Sequence, residues 1–158
     1  MNILVLGASG LLGRGICEYL DQENVSYIAT YNRNIINNKN FYYFDINKLN
    51  SLDFLINDHH PTHIINCIVN RIVDDCENKW DEIKRINIDF VSKLVSYNCT
   101  LIHISTDYVF DGKNAPYSPE SLLNPLQNYG ISKYISELRI INACKNYIIL
   151  YRGCCDFL

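Results

Sequence analysis

The sequence of 158 residues lacks both a long apolar run and an excess of positive charge. A transmembrane helix needs about 18 or more apolar residues in succession, and no such run occurs. The formal net charge of −3 provides no basic footprint for nucleic acid and no polybasic patch for a membrane surface. The apolar amino-terminal segment also lacks the basic residues that open a secretory signal. We therefore expect a cytoplasmic protein that binds neither nucleic acid nor a membrane.

Cysteine occurs in a pattern that lacks the usual signs of a disulfide framework or a zinc site. The seven cysteines are odd in number, form no CxxC pair and lie mostly within apolar segments. Reduced, buried thiols are therefore expected, and the adjacent Cys154 and Cys155 are the candidates for redox sensitivity. His59, His60 and His63 surround a proline, and no cluster of cysteines or carboxylates completes a metal shell around them. We predict no metal site.

Hydrophobic residues make up 48% of the chain and charged residues 20%, which predicts one globular domain over residues 1–158. Apolar runs alternate with helical patterns in the order of repeated strand–helix–strand units. The predicted strands cover residues 2–6, 25–31, 41–44, 63–69, 100–105 and 147–151, and the predicted helices cover residues 11–22, 48–58, about 75–97 and 128–144. This alternation predicts an α/β fold with a doubly wound, Rossmann-like parallel sheet.

The segment "GASGLLG" places Gly7, Gly10 and Gly13 directly after the first strand and at the start of the first helix. Such a loop permits a tight turn, lets the backbone approach a pyrophosphate closely, and directs free helix N–H groups at the anion. We therefore predict that this segment, with Leu11 and Leu12 between its glycines, binds a dinucleotide. The alternative is a glycine-rich turn with a purely structural role.

The end of the second strand lacks the acidic residue that NAD-preferring sites use to hold the ribose hydroxyl groups. The sequence there reads Tyr31, Asn32, Arg33. Because an arginine can pair with a 2′-phosphate, this segment favours NADP(H), with NAD(H) possible. The alternative for Arg33 is a solvated loop charge.

Tyr129 and Lys133 are four residues apart at the start of a predicted helix, so their side chains share one helix face. A nearby ammonium group favours the phenolate, and we expect it to bring the tyrosine pKa toward the operating pH. Tyr129 would then act as the general acid in the reduction of a carbonyl group. The hydride must come from a nicotinamide, because no side chain can donate one.

The spacing GxxGxxG resembles the extended branch of the short-chain dehydrogenase/reductase superfamily. That superfamily places a serine or threonine just past the fifth strand, where this sequence has Ser105 and Thr106. A hydroxyl group there would donate to the substrate oxygen as negative charge develops on it. The alternative is that both are ordinary hydroxyl groups at the end of a strand.

The segments "STDYVFDG", "APYSPE" and "NPLQNYGISKYISE" are more specific and resemble the dTDP-4-dehydrorhamnose reductase family over essentially the whole chain. The resemblance implies that Thr106, Tyr129 and Lys133 form the catalytic triad and that Asp107 lies with Thr106 near the substrate. It also implies further cofactor contacts. Asp45 and Ile46 would meet the adenine end, and the other residues that line the cofactor would be Cys67, Ile68, Val69 and Asn70. Asn87 matches a family asparagine, which either orders the chain near the active site or only packs.

Three segments depart from the family pattern. "NCIVNR" replaces small residues, which implies a tighter nicotinamide side of the pocket, and Ser136 replaces a glycine. The family continues beyond "LYRGCCDFL" into a half that builds the sugar-nucleotide site, so we expect most of the substrate lobe to be missing. A homo-oligomer or a partner chain could complete it.

The resemblance implies NADPH-dependent reduction of a 4-keto-6-deoxy sugar nucleotide in deoxysugar biosynthesis. The alternative is a non-catalytic, NADP-binding regulatory protein, because the regulatory β subunit of methionine adenosyltransferase also resembles this chain in "STDYVFDG" and carries an arginine near the position of Arg71.

Overall fold

The computed structural model describes residues 1–36 and 38–153, so the candidate redox pair Cys154 and Cys155 lies outside the described residues. The strands are β1 Ile3–Leu6, β2 Tyr27–Tyr31, β3 Phe41–Tyr43, β4 His63–Asn66, β5 Thr100–Thr106 and β6 Tyr147–Arg152. The α-helices are α1 Leu11–Gln22, α2 Asn50–His59, α3 Val73–Asn78, α4 Trp80–Ile83, α5 Phe90–Leu94 and α6 Asn128–Ala143. A π-helix covers Lys84–Asp89, and a 3₁₀ turn covers Asp107–Val109.

The strands form one sheet in the order β3-β2-β1-β4-β5-β6. Strand β1 pairs in parallel with β2 and β4, and the outer pairs β2–β3 and β4–β5 are also parallel. This strand order is that of the doubly wound dinucleotide-binding fold, so the predicted fold class is confirmed. In such sheets a ligand binds beyond the carboxyl ends of the strands where the strand order reverses, which here is between β1 and β4.

Four predicted strands are longer than the strands observed, and the first two begin later than predicted, at Ile3 and Tyr27. The fourth ends at Asn66, not at residue 69, because the Asn66 side-chain oxygen accepts from the Ile68 backbone N–H at 3.1 Å and turns the chain. The third ends at Tyr43, one residue early. Residues Cys67 and Ile68 therefore belong to a loop at the carboxyl end of β4, where they can line a ligand site.

The single helix predicted for residues 75–97 is wrong. Lys79 has an extended φ of −132° and separates α3 from α4, and the π-helix then separates α4 from α5. The residue periodicity of a π-helix differs too little from that of an α-helix for an apolar stripe to reveal it. Asn87, within the π-helix, is buried.

The chain divides into two compact units, the first containing Met1–Ile68 and Asn98–His103. Its core is built where α1 covers strands β1 and β2. Val5 and Ala29 are fully buried there, and Cys17 and Leu20 of α1 pack with them. Removal of this apolar surface from water drives the packing, at about 25 cal/mol per Å².

The second unit contains Val69–Tyr97 and the described residues from Ile104 onward. Its central element is α6, which contacts α3, α5, the π-helix, the 3₁₀ turn and β6. The buried face of α6 is unusually polar and contains Ser132, Lys133, Ser136 and Glu137. Buried polar groups must find partners, so this face is where function is to be sought. The single domain expected for the whole chain stays a prediction.

Across the described residues, none of the helices combines the length and the apolar character needed to cross a bilayer.

Candidate active site

The glycine loop, "GASGLLG" at residues 7–13, follows β1 in a conformation that requires glycine at its first position. Gly7 has a φ of +80°, which residues with a side chain rarely adopt. Its N–H donates to the Thr30 hydroxyl at 3.1 Å, and its carbonyl accepts from the Gly10 N–H at 3.1 Å. The turn is therefore held in place by β2 on one side and by its own backbone on the other.

Gly13 lets the start of α1 lie directly on the glycine loop. A Cβ at residue 13 would lie 2.5 Å from the Gly7 carbonyl oxygen and 2.8 Å from the Ala8 Cα. Helix α1 begins at Leu11, which is 84% exposed, and its N-cap residue Gly10 provides no side-chain hydrogen bond. An uncapped helix start beside a close-packed glycine turn fits the diphosphate of a dinucleotide.

The loop after β4 lies against the glycine loop. A Cβ on Gly7 would meet Ile68 Cγ1 at 3.0 Å and the Cys67 carbonyl carbon at 3.2 Å. Cys67 and Ile68, both half-buried, are therefore brought to the predicted phosphate loop. Burial raises the pKa of the Cys67 thiol to about 12, so this side chain is a neutral packing group.

The ends of β2 and β3 are tied together through Asn32. The Asn32 side-chain amide donates to the Phe44 carbonyl oxygen at 2.9 Å, and Arg33 is exposed. The next residue, Asp45, accepts from the Asn47 N–H at 2.9 Å in a tight turn. Asn32 and the predicted adenine-end residues Asp45 and Ile46 thus occur on two adjoining loops.

In the second unit, Thr106 at the end of β5 is the hydroxyl group that meets Tyr129. The Thr106 hydroxyl lies near enough to the phenol to lower the pKa of Tyr129. The Thr106 hydroxyl also donates to Asp107 Oδ1 at 3.1 Å and accepts from the Tyr108 N–H at 3.3 Å. The Ser105 hydroxyl instead donates to Glu137. The geometry therefore separates the two hydroxyl candidates, with Thr106 beside the phenol.

The pKa of Tyr129 differs from the expectation. Burial raises the pKa of this half-buried phenol, and the nearby Thr106 side chain opposes the rise. The Arg71 charge also lowers it, whereas Asp107 acts in the opposite direction. The predicted lowering toward neutral pH by the lysine is wrong, because sequence spacing reveals the neighbour but not the cost of burying a phenolate.

Lys133 is buried, and its ammonium group donates to the Ile104 carbonyl oxygen at 2.7 Å. Burial lowers the pKa of Lys133 to about 7, and the negative charge of Glu137 acts in the opposite direction. The group can therefore gain or lose a proton near neutral pH.

Asn87 connects the chain after β4 to the start of α6. Its side-chain oxygen accepts from the Asn70 N–H at 2.9 Å, and its amide donates to the Asn70 carbonyl at 3.0 Å and to Ser132 Oγ at 2.9 Å. Ser132 Oγ donates to the Tyr129 carbonyl at 2.7 Å. The sequence left two roles open for Asn87, ordering of the chain near the active site or packing alone. These hydrogen bonds favour the first role, because they fix the backbone at Asn70 and, through Ser132, at Tyr129. Val69, the predicted cofactor residue just before Asn70, is half-buried.

Two carboxylates that matter to α6 were given no role by the sequence reasoning. Glu77 of α3 binds the first residue of α6, accepting from the Asn128 backbone N–H at 2.8 Å and from its side-chain amide at 2.7 Å. Glu137 is fully buried and accepts from Ser105 and from the Tyr151 hydroxyl, the latter at 2.8 Å. For Glu137 the available signal was its position four residues after Lys133 on one helix.

Among the residues that the structure describes, no three or more histidine, cysteine, aspartate or glutamate side chains are grouped to hold a metal ion. The His59 ring instead contacts the Tyr42 ring, with centroids 4.9 Å apart, and His103 is a buried strand residue whose Nδ1 hydrogen-bonds to Asn66. The groups available for chemistry are a phenol, a threonine hydroxyl and a lysine. They can move a proton and bind an oxygen.

Comparison with known proteins identifies one family along the described chain. The family described as the RmlD substrate binding domain matches residues 1–153. The methionine adenosyltransferase 2 subunit beta of Bos taurus is 33% identical over 144 residues, which cover 89% of this chain and 42% of the bovine protein.

Two solved structures share the fold. A hypothetical dTDP-4-dehydrorhamnose reductase from Sulfolobus tokodaii is 33% identical with a TM-score of 0.85, covering 97% of this chain and 56% of the other. The dTDP-4-dehydrorhamnose reductase of Bacillus anthracis str. Ames, solved in complex with NADP, is 25% identical with a TM-score of 0.79 and covers 96% and 53%. The chain therefore spans about half the length of the relatives that it matches.

Proposed function

We propose that this chain, which belongs to the RmlD substrate binding domain family, binds NADPH and reduces the 4-keto group of a 6-deoxy sugar nucleotide. The observation that carries the proposal is the arrangement of three side chains: Thr106 at the end of β5 lies near Tyr129 of α6, and buried Lys133 lies one turn further along the same helix. A phenol, a hydroxyl and a lysine in this order are what carbonyl reduction requires of a protein. NAD(H) remains a possible second cofactor.

A bound nicotinamide would supply the hydride for the carbonyl carbon, because no side chain can donate one. Tyr129 donates its phenolic proton to the carbonyl oxygen, which becomes the product alcohol. Thr106 donates a hydrogen bond to the same oxygen as negative charge develops there. Lys133 would help to hold the cofactor and would favour the tyrosinate that remains, and Asp107 would contact the substrate.

The residues proposed to hold the cofactor fit its parts by chemistry. The glycine loop, with Gly7, Gly10, Leu11, Leu12 and Gly13, offers backbone N–H groups to the diphosphate. Arg33 and Asn32 would hold the 2′-phosphate, and their position lacks the acid that would select NAD. Asp45 and Ile46 would hold the adenine end. The further residues proposed for the cofactor are Cys67, Ile68, Val69, Asn70, Tyr129 and Lys133.

A second candidate function is a regulatory protein that binds NADP without catalysis. The 33% identity to the bovine methionine adenosyltransferase 2 subunit beta favours it. Both candidate functions use the glycine loop, so cofactor binding does not distinguish them. Oxidation of NADPH in the presence of the sugar nucleotide does distinguish them.

The test compares wild-type protein with Tyr129→Phe and, as a matched control on the same helix, Tyr134→Phe. NADPH fluorescence measures binding, and absorbance measures NADPH oxidation with dTDP-4-keto-6-deoxyglucose. Loss of the general acid should slow turnover about a hundredfold to ten-thousandfold in Tyr129→Phe, with NADPH affinity kept and Tyr134→Phe unaffected. Undiminished oxidation by Tyr129→Phe would contradict the mechanism, and binding without oxidation by wild type would favour the regulatory function.

A further inference from the structure

The buried face of α6 contains a carboxylate for which the proposed reaction has no use. Glu137 lies one helical turn after Lys133 and has no solvent exposure. A buried charge is costly unless it is paired and hydrogen-bonded. Its retention at this position therefore requires partners, and the structure supplies them from two strands.

Both oxygens of the Glu137 side chain are occupied. Ser105 of β5 donates its hydroxyl to one oxygen, and Tyr151 of β6 donates to the other at 2.8 Å. The two donors come from strands that are neighbours in the sheet, so the carboxylate is fixed from two directions. We refer to Ser105, Glu137 and Tyr151 as the Glu137 cluster.

The same stretch of β5 holds Lys133. The Ile104 carbonyl accepts from the Lys133 ammonium at 2.7 Å, and the adjacent Ser105 binds Glu137. Consecutive residues of one strand thus fix a buried cation and a buried anion on the same face of one helix. Burial lowers the pKa of Lys133 and raises that of Glu137, and the attraction between the two charges opposes both shifts.

We propose that Glu137 is a positioning residue for Lys133, and that its anchored carboxylate favours the protonated form of the buried lysine and holds its side chain at the Ile104 carbonyl of β5. The proposal rests on the role that the proposed function gives to Lys133. The titratable groups that face Glu137 are Lys133 from its own helix and Tyr151 from β6, while the partner from β5 is a serine. Glu137 contacts neither the substrate nor the cofactor in this account.

Glu137→Gln keeps the shape of the side chain and removes its charge. Without that charge, burial alone acts on the lysine, so the pKa of Lys133 should fall by about one pH unit or more below the wild-type value. The measurement is a pH titration of Lys133 by NMR in protein labelled with ¹³C-lysine, assigned with Lys133→Met. Glu18→Gln, at an exposed position of α1, is the matched control and should leave the titration unchanged.

A Lys133 titration that is identical in wild type and Glu137→Gln would overturn the proposal. If Glu137→Gln does not fold, Tyr151→Phe replaces it. That variant keeps the carboxyl group but removes one donor to its anion, which raises the pKa of Glu137 and favours its neutral form. Lys133 should therefore titrate at a lower pH than in wild type. An unchanged titration in Tyr151→Phe would then contradict the proposal.

The proposed function fails on a different result. Absence of NADPH binding by wild-type protein would remove the cofactor role of Lys133. The effect of Glu137 on the titration of Lys133 is measured in the protein without cofactor. Its outcome therefore does not depend on whether NADPH binds.

Discussion

At the scale of single residues, Gly13 and Gly15 of α1 differ in the space that an added Cβ would have. A Cβ at residue 13 would overlap the Gly7 carbonyl oxygen, whereas one at residue 15 would meet no heavy atom within 4 Å. We expect Gly13→Ala to lower the free energy of unfolding by about 1–3 kcal/mol through overpacking. Gly15→Ala should raise it by up to about 1 kcal/mol, because alanine favours the helix. Urea unfolding of both variants measures the difference, and equal effects would contradict the close packing.

The sequence could predict residue types more reliably than it could predict their partners. Tyr129 and Lys133 were found from their spacing, and both Ser105 and Thr106 were candidates for the same role. The structure separates the two hydroxyls because successive residues of a strand point to opposite faces, so Thr106 meets Tyr129 while Ser105 meets Glu137. Which hydroxyl points to which face depends on the register and depth of β5, and local sequence does not encode either.

At the scale of elements, the start of α6 depends on Glu77. This carboxylate binds the Asn128 backbone N–H and its side-chain amide, and negative charge is favourable at a helix N-terminus. We expect Glu77→Ala to lower the free energy of unfolding by about 1 kcal/mol, the usual worth of a helix cap. Urea unfolding should show this loss. Glu82→Ala, an exposed acid on α4, is the control, and an equal loss in both variants would refute a specific cap.

The elements that the sequence predicts well are those with a clear period and a clear end. Helix α6 was predicted at 128–144 and is observed at Asn128–Ala143, because its polar start and apolar stripe are both local signals. The helix predicted at 75–97 failed because breaks at Lys79 and in the π-helix are backbone features without a local signature. Strand β4 ends early because of one side chain, Asn66.

At the scale of the whole molecule, the buried titratable groups predict how stability depends on pH. The pKa of Lys133 is lowered from 10.5 to about 7, so above pH 7 the unfolded chain binds a proton that the folded chain has lost. The free energy of unfolding should therefore rise with pH from about 7, by at most about 1.4 kcal/mol per pH unit.

Buried thiols reverse this trend at higher pH. The pKa of Cys17 and of Cys76 is raised from 9.0 to about 11, and that of Cys67 to about 12. A raised pKa contributes stability that is present below pH 9 and is lost as the pH rises toward the folded value. Chemical unfolding between pH 6 and pH 11 should therefore show a maximum near pH 9. Lys133→Met should remove the rising part and keep the fall, and a rise that persists in this variant would contradict the assignment.

The doubly wound parallel sheet could be predicted for the whole molecule because a strand–helix–strand alternation with a glycine loop at the first turn has few solutions. The Glu137 cluster could not, because Ser105 and Tyr151 are 32 and 14 residues away from the acid that they bind. Such pairings are set by the sheet, and only the folded chain brings them together.

The central claim is that the glycine loop binds the diphosphate of NADPH. Titration of NADPH fluorescence with wild-type protein, Gly13→Ala and Gly15→Ala tests it most directly. The account predicts saturable binding by wild type and Gly15→Ala, and an affinity reduced at least about tenfold, a loss of about 1.4 kcal/mol, in folded Gly13→Ala. Equal NADPH affinity in all three proteins, or no binding by wild type, would contradict it.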